Sequence, residues 1–256
     1  MFNGFVFDDL KGKRVLVTGG STGIGAAVVM ALAAQGARVA IHFNESREAA
    51  AALQGHHSEN TVLVQGDLGI PGMGMKVVDE ASRLLGGLDG IINNAGGMLG
   101  RIPTTEATAE HFDRVLNLNA KSLWEASVAS HRHLVASGGG FIINTTSIAA
   151  RNGGGGGAVL YAAAKAFVSS LTRGQAKEFV KDGIRVNAVA PGLIQTPFHD
   201  RYTSAEVMAA QRMTIPMGRE GMPEECVGAF LFLASEAMSG YITGQVIEVN
   251  GGQLMP

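Results

Sequence analysis

The chain has 256 residues, 46% of them apolar and 16% charged, with a formal net charge of −2. That is enough apolar chain for one large packed domain or two small ones, which excludes wholesale disorder, and the near-neutral charge without a Lys/Arg cluster argues against a nucleic-acid partner. No run of about eighteen apolar residues predicts a membrane span, no basic-then-apolar start reads as a signal peptide, and the single cysteine, Cys226, excludes an internal disulfide and fits a reducing cytoplasm.

Short apolar runs alternate with longer, alanine-rich stretches of helical character. Residues 14–18 predict a first strand, and 24–35 a helix stopped by Gly36. Residues 38–41 read as a second strand, 45–53 as a helix and 61–65 as a third strand. A helix over 72–85 and a strand over 90–93 follow, then helical stretches near 108–115 and 120–137. Residues 141–145 read as a fifth strand, 159–181 as a long helix and 184–190 as a sixth strand. A helix over 223–235 and a strand over 245–249 close the chain. The strands are continuous apolar runs rather than alternating ones, as expected of strands buried on both faces of a parallel sheet. The order predicts one doubly wound, Rossmann-like α/β domain over residues 1–256, with a mostly parallel sheet of about seven strands flanked by helices.

The first strand runs into Thr18-Gly19-Gly20-Ser21-Thr22-Gly23-Ile24-Gly25 at the start of a helix. A dinucleotide diphosphate needs close backbone approach to N–H groups at a helix N-terminus, and side chains at Gly19, Gly23 and Gly25 would obstruct that approach or the packing of helix on strand. Farther on, Tyr161 and Lys165 are four residues apart in an alanine-rich helical stretch, with Ser147 upstream. Residues i and i+4 share a helix face. A free phenol, with a pKa near ~10, is a poor base at neutral pH, and a neighbouring ammonium favours the phenolate.

These motifs, in this order, resemble those of the short-chain dehydrogenase/reductases nearly from end to end. The resemblance places Thr18–Gly25 at the cofactor turn, with Ser21, Thr22 and Ile24 among the contacts. Asp67 and Leu68 follow the third strand at the adenine, and Asn94, Ala95 and Gly96 follow the fourth at the adenine ribose. Pro191, Gly192, Ile194 and Thr196 follow the sixth strand at the nicotinamide end. It also implies a catalytic set of Asn119, Ser147, Tyr161 and Lys165. Tyr161 would exchange a proton with the substrate oxygen, Ser147 would hydrogen-bond that oxygen, Lys165 would hold the nicotinamide ribose and lower the tyrosine pKa, and Asn119 would support a proton relay. A homotetramer and a mobile substrate lid over residues 196–217 are further implications.

After the second strand, Phe43 stands where NAD-using members carry an aspartate, and Asn44, Ser46 and Arg47 are suited to a 2′-phosphate. NADP(H) is therefore expected over NAD(H), against the nearby Glu45 and a threonine, Thr22, where many NADP users have arginine. The substrate side is poor in signals. Arg101, Arg151, His199 and Arg201 are candidates for an anionic substrate, and the glycine run over 153–157 is expected to be a mobile loop. A polar ketone, such as a sugar or sugar-acid derivative, is favoured over a 3-oxoacyl thioester. A dinucleotide-sensing protein without turnover and a nucleotide-sugar epimerase are the other readings. The His56–His57 pair lacks partners at ligand spacing, so no metal site is expected.

Overall fold

The computed structural model describes residues 6–255, with the side chains of residues 199–201 and 205 outside the description. Seven strands form one sheet: β1 (Arg14–Val17), β2 (Arg38–Phe43), β3 (Thr61–Gln65), β4 (Gly90–Asn93), β5 (Gly140–Thr145), β6 (Ile184–Pro191) and β7 (Val246–Val249). Their order is β3-β2-β1-β4-β5-β6-β7, and every pair is parallel. The order reverses between β1 and β4, which opens a crevice at the carboxyl ends of these strands, where ligands bind in folds of this kind.

The helices are α1 (Gly23–Ala34), α2 (Arg47–His56), α3 (Met73–Leu85), α4 (Ala109–Leu116), α5 (Ser122–Ala136), α6 (Ala149–Asn152), α7 (Val159–Phe179), α8 (Pro197–Tyr202), α9 (Ala205–Arg212), α10 (Pro223–Ala234) and α11 (Glu236–Ser239). Alternate residues of each strand feed opposite cores. Val15, Val17, Val39, Ile41 and Ile143 pack with α1 and α10. Leu16, Ala40, Ile91, Ile142 and Val186 pack with α3, α5 and the end of α7. Both faces are covered, which is why the strands read as unbroken apolar runs. No helix of the described residues is long and apolar enough to cross a membrane.

Two differences from the sequence reading bear on the site. The helix expected from residue 120 starts at Ser122, and a single π-helical turn, Asn117–Lys121, joins it to α4. β2 reaches Phe43 rather than ending at residue 41, because His42 and Phe43 pair with Val64 and Gln65 of β3. A histidine inside an apolar strand costs free energy unless both ring nitrogens find partners. His42 has them: its Nδ1 accepts the Gly19 N–H at 3.0 Å, and its Nε2 donates to the Gly66 carbonyl at 3.0 Å. The imidazole thereby ties the glycine turn after β1 to the end of β3.

Burial lowers the His42 pKa to about 4, although the Gly66 carbonyl and the Asp67 carboxylate act in the opposite direction. The unfolded chain, with its histidine near 6.5, then binds the extra proton between pH 6.5 and about 4. Stability is full above pH 6.5 and falls as the pH drops toward 4, by about 3 kcal/mol in all. His42→Gln should be less stable at pH 7 yet lose less further stability on acidification across that window. Urea unfolding at a series of pH values reads this, and parallel slopes for variant and wild type would contradict it.

Candidate active site

The glycine turn is shaped by its neighbours. Gly19 and Gly23 have φ of 60° and 56°, in the left-handed region that strains other residues. A Cβ on Gly19 would lie 2.9 Å from the Ala95 Cα, and one on Gly23 would lie 3.1 Å from the Thr196 methyl. A Cβ on Gly25 would overlap the Gly19 carbonyl. The Thr18 hydroxyl accepts the N–H groups of Asn94 (2.9 Å) and Ala95 (3.1 Å), and the Asn94 amide donates to the Thr18 and Gly19 carbonyls, both at 3.2 Å. The ends of β1 and β4 are thus clamped together. Thr22, at the α1 N-cap, makes no side-chain cap hydrogen bond, so the helix N-terminus stays open to an anion.

The four polar residues singled out in the sequence come from three parts of the chain: the π-turn, the loop after β5, and α7, which carries both Tyr161 and Lys165. Asn119 lies in the π-turn and is fully buried. Its amide donates to the carbonyls of Gly97 (2.8 Å) and Val115 (2.9 Å), and its Oδ1 accepts the Gly97 N–H at 3.0 Å. The wider turn carries this amide beside the β4 loop, a use of π-bulges seen often at functional sites. Lys165, on α7, donates from Nζ to the Thr145 carbonyl at the end of β5 (2.8 Å). Its Nζ stands 5.7 Å from the centroid of the Tyr161 ring, one helical turn away. Gly96 marks where the groups converge: a Cβ there would lie 2.7 Å from the Asn119 Oδ1 and 3.2 Å from the Lys165 Nζ.

Burial pushes the Tyr161 phenol up to about 12, partly offset by a hydrogen bond with the Ser147 hydroxyl. Burial also pulls the Lys165 ammonium down to about 8. At neutral pH the phenol therefore keeps its proton and the lysine is largely charged.

One cavity of about 380 Å³ joins these groups. Gly19, Thr22, Gly23, Ile24, Asn94, Ala95 and Gly96 line the half beside the glycine turn, and Pro191, Gly192, Ile194 and Thr196 line the wall beyond β6. Ser147, Tyr161 and Lys165 lie on the same wall system. Ser21 and Gly25 do not line it; they are buried beneath the turn. Asn44, Ser46, Arg47, Asp67 and Leu68 lie past the ends of β2 and β3, off this cavity. Asp67 accepts the Gly69 N–H (2.8 Å), and Leu68 lines a small void with Thr18, Asn93 and Ala95. The cradle fits a nicotinamide dinucleotide: the left-handed glycines admit no side chain, the helix N-terminus is uncapped, and the buried Thr145 hydroxyl in the cavity wall has no protein partner.

A family model described as enoyl-(acyl carrier protein) reductase matches residues 19–253. A solved NADH-dependent reductase, A1-R′, responsible for alginate metabolism, is 39% identical, with 98% of this chain and 100% of that chain covered and a TM-score of 0.89. The 2-dehydro-3-deoxy-D-gluconate 5-dehydrogenase of Escherichia coli (strain K12) is 36% identical over 250 residues, covering 96% of each chain. The structure of a short-chain dehydrogenase from Burkholderia cenocepacia J2315, in complex with NADP, is 34% identical, with coverage of 96% and 99% and a TM-score of 0.88. The chain belongs to the short-chain dehydrogenase/reductase family. It is an oxidoreductase that acts on CH–OH groups with a nicotinamide dinucleotide.

In this dehydrogenase/reductase the cavity is also lined by Met98, Ile148, Asn152, Gln211 and Gln253, which carry no motif in the sequence. Gln253 is brought in by the C-terminal segment, which is held to the chain after α9 by a hydrogen bond from its amide to the Thr214 hydroxyl (2.7 Å). On α8, the Phe198 ring packs on Tyr161 at 5.6 Å between centroids. Of the candidate cations, Arg101 lines the cavity, whereas Arg151 pairs with Glu248 (2.9 Å) and does not. His199 and Arg201 lie among the undescribed side chains. The glycine run is anchored rather than free-standing, since the Gly157 carbonyl accepts the Ile102 N–H at 3.0 Å and the Gly156 carbonyl accepts from Arg101 at 3.0 Å.

Gly96→Ala should displace the Asn119 amide and the Lys165 ammonium together. Turnover should fall by about 100-fold or more, the scale of an ångström-sized misplacement, with the melting temperature lower by several degrees as buried hydrogen bonds are strained. A variant with normal kcat would show that their convergence over Gly96 is not needed.

Proposed function

We propose that this enzyme uses NADP(H) to interconvert a polar ketone, of the sugar or sugar-acid type, and the corresponding secondary alcohol. The observation that carries the proposal is the single cavity in which Tyr161, Ser147 and Lys165 follow directly on the glycine cradle, with Asn119 meeting Lys165 over Gly96. The bound dinucleotide supplies the hydride in reduction and takes it in oxidation. Tyr161 gives its phenolic proton to the carbonyl oxygen in reduction and takes the alcohol proton in oxidation. Ser147 donates a hydrogen bond to the same oxygen and stabilises the charge that develops there. Lys165 holds the nicotinamide ribose and favours the phenolate by charge. Asn119 keeps a proton path open from Lys165. Residues 196–217 form the lid, and α8 sets Phe198 against the catalytic ring.

NADP(H) is favoured by the surroundings of Arg47. Its guanidinium stacks over the Phe43 ring at 5.6 Å and reaches the Gln65 amide oxygen at 3.5 Å, and among the described residues no carboxylate pairs with it. Phe43 is buried at the end of β2 and offers no carboxylate for ribose hydroxyls. Asn44 and Ser46 complete the proposed phosphate site. The large apolar side chains left exposed on α4, α5 and α7 (Phe112, Trp124, Phe167) suit burial in a homotetramer.

The sugar-acid class is supported by two relatives, one a 2-dehydro-3-deoxy-D-gluconate dehydrogenase and one a reductase of alginate metabolism. The acyl-carrier-protein reductase description of the matching family model favours a 3-oxoacyl thioester as the second reading. A panel of sugar-acid ketones, 3-oxoacyl thioesters and simple ketones, followed by loss of NADPH absorbance, separates the two. Highest kcat/KM is expected for the sugar acids, and tight NADPH binding without turnover of any class would instead indicate a sensor. In the same assay NADPH should exceed NADH in kcat/KM, and Arg47→Gln should narrow that ratio by about tenfold, the scale of one charge-assisted contact. A tenfold preference of the wild type for NADH would overturn the cofactor assignment.

A further inference from the structure

The described residues that line the cavity include two charged side chains, Lys165 and Arg101, and no carboxylate. Lys165 lies beside Tyr161 and the Thr145 carbonyl, at the cofactor end. Arg101 is the remaining formal charge, and it belongs to the substrate half. Its guanidinium donates to the Tyr202 carbonyl (2.6 Å), the Gly156 carbonyl (3.0 Å) and the Thr203 hydroxyl (3.2 Å). These acceptors are all neutral. They engage three of the five N–H groups of an arginine and leave two for another partner. Burial lowers the Arg101 pKa with no carboxylate to offset it.

The Arg101 and Gln211 side chains come close to each other beside Gly155. A Cβ on Gly155 would lie 3.5 Å from the Arg101 Nη1 and 3.6 Å from the Gln211 Nε2. Two N–H donors, one charged and one neutral, therefore lie together on one side of the glycine loop. Arg101 and Gln211 both line the cavity, so a bound substrate can reach their donors.

We propose that Arg101 and Gln211 form an anion subsite that takes the carboxylate of the substrate. A planar guanidinium matches a carboxylate in geometry as well as in charge. The inference rests on the sugar-acid reading of the substrate and adds to it the groups that select the acid. It also gives Arg101 a second consequence. The same guanidinium holds the end of α8 and the glycine loop, so an anion bound there joins lid and loop through one side chain.

The test compares compounds that differ only in carboxylate against hydroxymethyl. D-Gluconate and D-glucitol are titrated by calorimetry into enzyme saturated with NADPH, and 5-keto-D-gluconate and L-sorbose are compared as substrates. The wild type should bind gluconate at least tenfold more tightly than glucitol. R101Q should weaken gluconate binding by about 10- to 100-fold, the range of a charge-assisted hydrogen-bonded pair. Its effect on gluconate should exceed that on glucitol by at least tenfold, R101K should recover part of the loss, and NADPH binding should be retained. Equal effects on acid and polyol would reduce Arg101 to a support for the lid and overturn the subsite, as would wild-type binding with no preference for the acid or no binding of either compound. If the wild type prefers gluconate but reduces neither ketone, the subsite stands and the assignment of the substrate fails.

Discussion

The site depends on how α7 is held against the end of β5. Three consecutive β5-end residues do this. The Asn144 amide donates to the Thr172 hydroxyl (3.0 Å), the Thr145 carbonyl accepts from the Lys165 Nζ (2.8 Å), and the Thr146 hydroxyl donates to the Lys165 carbonyl (2.8 Å). Asn144 is itself tied to β4, since its Oδ1 accepts from the Asn93 amide at 2.9 Å. All of these groups are buried, so a slipped helix would leave several polar atoms unpaired at roughly 1–3 kcal/mol each. The register of α7 is thereby fixed to one choice, which sets both Tyr161 and Lys165 in the cavity wall.

The same burial that fixes the register also sets the chemistry. An isolated phenol deep in a protein keeps its proton, and Tyr161 in the free protein does so up to about 12. That suits a proton donor for ketone reduction. In the proposed mechanism the reverse reaction needs the phenolate, which the positive charge of Lys165 would favour. His42 serves the cofactor end in a comparable way: a buried polar group, neutral and with both nitrogens engaged, fixes the glycine turn to β3. The polar residues inside this protein act as position markers between loops that would otherwise be joined only by backbone.

Much of this was legible in the sequence. The strands could be read because both faces of the sheet are covered, which leaves unbroken apolar runs such as Val15–Val17 and Ile91–Ile92. The glycine turn could be read because backbone approach to a diphosphate allows few side chains. The Tyr161–Lys165 spacing could be read because a helix puts i and i+4 on one face. Other features gave no local signal. One extra residue in the Asn117–Lys121 turn leaves no trace in apolar periodicity, yet it carries Asn119 to the β4 loop. A polar residue such as His42 ordinarily ends a buried strand, whereas its two hydrogen bonds allow β2 to continue to Phe43. Arg101 and Arg151 looked alike as isolated cations; Glu248, far away in sequence, takes one of them out of the cavity and leaves the other in it.

In the proposed mechanism Tyr161 is the group that moves the proton. Tyr161→Phe keeps the ring that packs on Phe198 and removes only the hydroxyl, so the fold and the dinucleotide cradle should be untouched. Steady-state turnover of the ketone and the pH profile of alcohol oxidation, measured beside NADPH affinity, test the claim directly. Turnover should fall roughly 10²–10⁴-fold or more, the rise of the oxidation rate with pH should disappear, and NADPH binding should stay near that of the wild type. Near-normal turnover, or an unchanged pH profile in the variant, would contradict the account.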